Sequence, residues 1–238
     1  MLVSICTPAW NVGPWVGEMV SSCLAQTWQD WELCIYDDGS DDSTLAVLTH
    51  YAKGDHRIRV ETGEHLGCNR AFNRAFSMAS GQIIARLDSD DTMDSRRIEE
   101  QVDSLCEGEA GDISTCEMIR MGEDGQSRKP KPVGPMDVDR YLAAQDPHPP
   151  IAASIVAWAE VYRHVGLWNP AYPWAGEDEW IVRALDFGYK WVHVPQFLYR
   201  YRVRPGSMAR QGACQGRDTL DWLTRKAKEW AVQPAAKS

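Results

Sequence analysis

The chain has 238 residues, 44% of them hydrophobic, enough to close a packed core over one large α/β domain or two small ones sharing a core. Its 34 acidic and 25 basic residues leave a net charge of −9, which argues against a general nucleic-acid binder, because such proteins present a basic face. Seven scattered cysteines form no C-x-x-C pair, so neither a zinc ribbon nor a thioredoxin-type site is expected, and reduced thiols point to a cytoplasmic setting.

The first residues, Met1 to Pro8, lack the basic start and long apolar stretch of a signal peptide. No run approaches the roughly 18 apolar residues of a membrane span. Leu2 to Cys6 reads as a short strand stopped by Thr7-Pro8, and Pro14 suits a first helical turn. Val16, Val20, Cys23 and Leu24 then recur at helical spacing. Trp31 to Tyr36 is a second strand, with Asp37-Asp38-Gly39-Ser40 directly after it. Ser40 to Ser43 offers N-caps for a helix running to about Lys53. Ile58 to Val60 is a third strand, and His65-Leu66-Gly67 is a loop. Ala71, Phe72, Ala75, Phe76 and Ala79 line one face of the next helix, which Gly81 ends.

Ile83 to Leu87 is a short apolar run with Arg86 inside it, and Asp88-Ser89-Asp90-Asp91 follows. Three carboxylates in one turn repel each other, and a divalent cation shared with a phosphate would offset that repulsion. The alternative is a solvated turn that caps the next helix, and Asp91 is the residue assigned to that cap. The alternation of strands and helices predicts a parallel sheet wrapped by helices, with right-handed crossovers. Thr7, Asp37, Asp38, Asp88 and Asp90 then share one sheet edge, the edge where ligands bind in open α/β sheets.

Ser95 to Glu107 is expected to be helical. Ile113 to Met121 alternates as a strand into a Gly122-Glu123-Asp124-Gly125 turn. A short helix is expected over 137–145, a rigid connector over 146–150, a strand from Ile151 to Trp158, and a short helix from Glu160 to Val165. Glu177-Asp178-Glu179 opens a further helix, where acidic residues suit the macrodipole. Trp191 to Val194 is a strand stopped by Pro195, and Tyr199 to Arg204 places three arginines on one strand face. His193 reads as a satisfied strand histidine. Residues 217–231 are expected to form an amphipathic helix that packs on the sheet, pairs with a partner or touches a membrane surface, and its mixed charge favours plain packing.

These motifs stand in one order: Thr7-Pro8-Ala9-Trp10-Asn11, Asp37-Asp38-Gly39-Ser40, His65-Leu66-Gly67 with Asn73, Asp88-Ser89-Asp90-Asp91, Glu177-Asp178, and Tyr199-Arg200-Tyr201-Arg202. In that order the chain resembles the inverting family 2 glycosyltransferases from Val3 to about Arg204. The resemblance implies the α/β GT-A (nucleotide-diphospho-sugar transferase) fold, with a mostly parallel central sheet flanked by helices and a smaller mixed acceptor-side region. It divides the chain into a nucleotide-sugar half at 1–107, an acceptor half at 108–216 sharing one core with it, and a C-terminal helix and tail at 217–238.

It further implies that Thr7, Pro8 and Asn11 line the nucleotide pocket, that Asp38 accepts a hydrogen bond from uracil, and that Asp37 supports the loop. Asp88 would lie near the ribose and the metal, and Asp90 would hold Mn2+ or Mg2+ against the diphosphate. Asp178 would be the general base, with Glu177 beside it. The family often has Asn at His65 and Arg at Phe72, so Arg70 is expected to stand in for the latter. Arg204 occupies a place where many members carry His, and with Arg202 it is expected to contact the diphosphate, unless both form ordinary surface pairs. Trp174 would either stack on an acceptor sugar or pack in the core. The implied partners are a nucleotide-sugar donor, UDP-linked by resemblance, and a saccharide or lipid-linked acceptor. The alternatives are a non-catalytic nucleotide-sugar-binding module or partner subunit and, more distantly, a nucleotidyltransferase.

Overall fold

The computed structural model describes residues 1–107, 111–130, 132, 134–135, 152–172 and 176–204. Expectations for 137–145, 146–150, Trp174 and the helix at 217–231 lie outside the described residues. Eight strands form one sheet in the order β3-β2-β1-β4-β7-β6-β8-β5. They are β1 (Val3–Ala9), β2 (Trp31–Asp37), β3 (Ile58–Thr62), β4 (Ile83–Arg86), β5 (Thr92–Met93), β6 (Ile113–Met121), β7 (Val156–Trp158) and β8 (Trp191–Arg202).

The first four strands are parallel neighbours joined through α1 (Gly13–Leu24), α2 (Thr44–Gly54) and α3 (Cys68–Ser77). Every residue of β2 and β4 is buried, as expected for strands covered on both faces. On one face, Val16, Met19, Val20 and Cys23 of α1 pack with Leu48 of α2 and with Ile98, Val102 and Leu105 of α4 (Arg97–Cys106). On the other face, Ala71, Phe72 and Ala75 of α3 pack with α5 (Ala159–Val165) and α6 (Gly176–Asp186). β4 pairs antiparallel with β7, and this seam carries the sheet into its mixed second half.

Local rules fail at five places, each for a tertiary reason. β1 continues through Pro8 to Ala9, because its ladder to β4 has already ended at Cys6 and Pro8 owes that neighbour no N–H. Pro195 does not stop its strand. β8 runs through it, and the register against β6 shifts between Cys116 and Glu117 to absorb the irregularity. Ala152–Ser154 is a 3-10 turn, so the strand expected from Ile151 begins at Val156. α4 starts at Arg97, because Thr92 and Met93 are drawn into a short antiparallel pairing with β8. At the start of α2 the serines donate no cap, and Asp42 accepts the Thr44 N–H at 2.8 Å instead.

Candidate active site

The loops after β1 and β2 are locked together. The Asn11 N–H donates to Ser40 Oγ at 3.0 Å, and Asn11 Oδ1 accepts the Asp41 N–H at 3.0 Å. Thr7 and Asp37 are buried at the strand ends, with Pro8 between them partly exposed. Asp37 Oδ2 accepts from the Thr62 hydroxyl at 2.7 Å, whereas Asp37 Oδ1 and Thr7 Oγ1 have no partner. Asp38 is almost fully buried and holds the loop after β3. Its two oxygens accept the N–H groups of Leu66 at 2.6 Å and Gly67 at 2.9 Å, and His65 Nδ1 lies 3.0 Å away. Gly39 at φ 70° lets the chain pass this loop, where a Cβ would come within 3.0 Å of the Gly63 carbonyl. Trp10 is 49% exposed, and its ring centroid lies 4.5 Å from that of His65. The sequence reading passed over this pair, although an exposed-side tryptophan in the first motif was a signal for it. Arg70 is exposed on α3, and Phe72 is instead a core residue stacked on Trp168 at 4.2 Å.

The acidic turn after β4 closes with the Asp91 N–H donating to the Asp88 carbonyl. Asp91 does not cap α4. It is fully buried and accepts the Tyr199 hydroxyl at 2.7 Å and the Arg202 N–H at 2.6 Å, tying the turn to β8. Burial, then neighbouring Asp90 and Asp88, push the Asp91 carboxyl well above its usual range. Asp88 is pushed up to about 6, first by desolvation and then by Glu177 and Asp90, against the pull of Arg86.

The two arginines expected together at a diphosphate separate here. Arg202 is 1% exposed and its guanidinium is committed beneath the turn. Nε donates to the Asp90 carbonyl at 2.7 Å, Nη1 to the Glu123 carbonyl at 3.1 Å, and Nη2 to Glu18 at 2.6 Å. That geometry removes Arg202 from the ligand-facing set. Arg204 lies over the Trp15 ring at 4.7 Å and donates from Nε to Asp90 Oδ2 at 2.6 Å. Arg200 is more exposed and faces Asp94 at 3.7 Å, and β8 ends at Arg202, so Arg204 lies past the strand and the three arginines have different partners.

α6 begins at Gly176, packed against the side-chain amide of Asn69. Asn69 in turn donates to the carbonyls of Asn169 at 3.1 Å and Tyr172 at 2.9 Å, which clamps α3 to the approach of α6. Glu177 pairs with Arg86, Glu179 pairs with Arg183, and Asp178 lies between them, partly exposed in the first turn. Arg86 also donates to Asp88 at 2.8 Å, so one buried guanidinium joins the acidic turn to α6. Sequence reasoning missed Arg86, because a single arginine in an apolar run gives no hint of a partner 91 positions away. His193 is a satisfied histidine, with Thr115 at 3.0 Å and Glu117 at 3.2 Å.

Asp88 and Asp90 supply hard oxygen donors at the sheet edge, with side chains 26% and 18% exposed. Among the described residues no group of three or more metal-ligating side chains is preassembled. Two carboxylates completed by phosphate oxygens nonetheless fit Mg2+ or Mn2+, which rarely take an all-protein cage. The crowding that raises Asp88 and Asp91 is the kind a cation relieves. The six described cysteines are free thiols. Among the described residues, no helix is long and apolar enough to cross a membrane.

The family model described as "Glycosyl transferase family 2" matches residues 4–162. The chain belongs to glycosyl transferase family 2. Within the family, it is 38% identical over 107 residues to the "Putative teichuronic acid biosynthesis glycosyltransferase TuaG" of Bacillus subtilis, covering 44% of this chain and 42% of that protein. It is 38% identical over 105 residues to the "UDP-Glc:alpha-D-GlcNAc-diphosphoundecaprenol beta-1,3-glucosyltransferase WfgD" of Escherichia coli, covering 44% of this chain and 41% of that protein. The matches thus span less than half the length of these relatives. Among solved structures, S. aureus TarS 1-349 in complex with UDP superposes with a TM-score of 0.74 at 17% identity, over 99% of this chain and 68% of that one. The mannosyltransferase PcManGT from Pyrobaculum calidifontis, in complex with GDP-Man and Mn2+, gives 0.66 at 17% identity, over 99% and 76%. At these identities the likeness shows the fold, which is that of GT-A transferases.

Proposed function

We propose that this family 2 chain is a metal-dependent inverting glycosyltransferase that moves a sugar from a UDP-linked donor to a hydroxyl of a saccharide or lipid-linked acceptor in the cytoplasm. The observation that supports it best is one edge of a parallel sheet that gathers the Asp38 loop, the Asp88–Asp91 turn and, across Arg86, the acidic start of α6. Thr7, Pro8, Asn11 and Asp37 would frame the nucleotide. Asp38 already takes two amides and His65, and a carboxylate offers about four lone-pair sites, so one more donor such as a uracil N–H has room. Arg204, with Arg70 at the rim, would meet the diphosphate, and Arg202 would hold the turn from below.

Held by Asp88 and Asp90, Mn2+ or Mg2+ would supply Lewis-acid stabilisation of the departing diphosphate. Asp178 takes the proton from the acceptor hydroxyl as that oxygen attacks the anomeric carbon, and a single displacement inverts the centre.

The test is a thermal-shift screen of UDP- and GDP-sugars with and without Mn2+, followed by turnover assays. Asp90→Asn removes the metal-dependent part of nucleotide binding. Asp178→Asn keeps that binding and loses about 10²–10⁴-fold in turnover, the usual contribution of a general base. Full activity in both variants would falsify the proposal.

A further inference from the structure

Arg86 is the last residue of β4 and is 2% exposed. Its Nη2 donates both to Asp88 Oδ1 on the acidic turn and to Glu177 Oε1 on the first turn of α6. The guanidinium carbon sits 4.5 Å over the Trp168 ring, and Trp168 stacks on Phe72 of α3. Contact with the Trp168 ring confines the guanidinium, and the shared nitrogen holds both carboxylates at one point. Nε and Nη1 make no hydrogen bond. For stability alone this is a poor arrangement, because a methionine of similar length would fill the space with no unmade bonds. What only the cation supplies is a joint between two carboxylates that otherwise repel, one on the turn after β4 and one on α6.

We propose that Arg86 is a positioning residue, which fixes the start of α6 relative to the acidic turn. Through Glu177 it sets Asp178 against the donor's anomeric carbon. This rests on the glycosyltransferase reading. A misplacement of about 1 Å between reacting groups costs on the order of 100-fold in rate. Arg86 is buried beneath the acidic turn, so its loss is expected to fall more on kcat than on donor binding.

The experiment compares the whole chain with Arg86→Met, Arg86→Lys, Glu177→Gln and the Arg86→Met/Glu177→Gln double variant. The readouts are kcat and donor KM with the nucleotide sugar that wild type turns over, UDP binding by calorimetry, and melting temperature. Arg86→Met is expected to lose about 100-fold in kcat, with UDP affinity held within a few-fold. Arg86→Lys is expected to recover part of that loss, since an ammonium still bridges two carboxylates but does not stack as a plane. The double variant is expected to lose less than the product of the single losses, because both act on one contact. Should Arg86→Met fail to fold, Arg86→Lys carries the test. Unchanged kcat in both Arg86→Lys and Glu177→Gln would then overturn the proposal, and a fall in kcat with KM held in either variant supports it. An active wild type with a fully active Arg86→Met, or with equal losses in UDP affinity and turnover, overturns the positioning role alone. A wild type that turns over no nucleotide sugar overturns the glycosyltransferase reading, and the positioning role falls with it.

Discussion

Arg202→Met separates a support beneath the acidic turn from a ligand-facing cation. Methionine keeps most of the packed stem and removes the three guanidinium contacts. The Asp90 carbonyl lies against the buried head and loses a charged donor, at about 1–3 kcal/mol. The Glu123 carbonyl belongs to an exposed residue and can take water, so its loss is about 0.5–1 kcal/mol. Glu18 is 56% exposed, and its pair is screened to less than about 1 kcal/mol. A total near 3 kcal/mol corresponds to a fall in melting temperature of about 6–12 °C for a chain of this size. Arg204→Met, which breaks one partly exposed pair, is expected to cost about 1 kcal/mol or less while weakening nucleotide diphosphate binding more. Thermal melts and UDP titrations on both variants decide the matter. If Arg202→Met melts within 2–3 °C of wild type, roughly 1 kcal/mol, and still loses UDP binding, the assignment of Arg202 as a support is wrong.

Gly176→Ala places a methyl group on the Asn69 amide and should cost about 1–2 kcal/mol and about tenfold in kcat, although alanine is the better helix former. Equal melting temperature and kcat would refute the clamp between α3 and α6. At the opposite end of the sheet, burial works against the Glu32 carboxylate. Hydrogen bonds from Ser4 and Ser80, and the Arg59 pair, outweigh it and hold the carboxyl below its ordinary value. A depressed folded-state pKa gives stability that is present above the unfolded value near about 4.3 and is lost as pH falls through the folded value. Glu32→Gln should therefore be less stable at pH 7, with the gap to wild type closing on acidification. Urea midpoints that run parallel across that range would contradict it.

The first half of the fold was legible because its signals are local. Buried strands read as apolar runs, and Asp37-Asp38 and Asp88 to Asp91 follow them directly. Parallel strand direction then places those residues on one edge. What escaped depended on partners distant in sequence. Asp91 looks like a helix cap until Tyr199 and Arg202 claim its oxygens. Pro195 looks like a stop until β6 offers a ladder that tolerates a bulge. Arg86 reads as one polar residue in a strand, and its weight comes from Glu177. Arg202 and Arg204 have the same period and the same chemistry, and only burial distinguishes their work.

The seam between β4 and β7 has a consequence for engineering. Only three register pairs cross it, Ile83 with Trp158, Ile84 with Ala157 and Ala85 with Val156. A first half of the chain transplanted onto a foreign second half would have to re-form this short antiparallel ladder along with the β5–β8 pairing, because cutting there exposes two interior strands as raw edges. Compatibility between halves from different relatives should therefore follow the fit of these six side chains and of the Arg86 joint beside them. Overall sequence similarity would be a poorer guide.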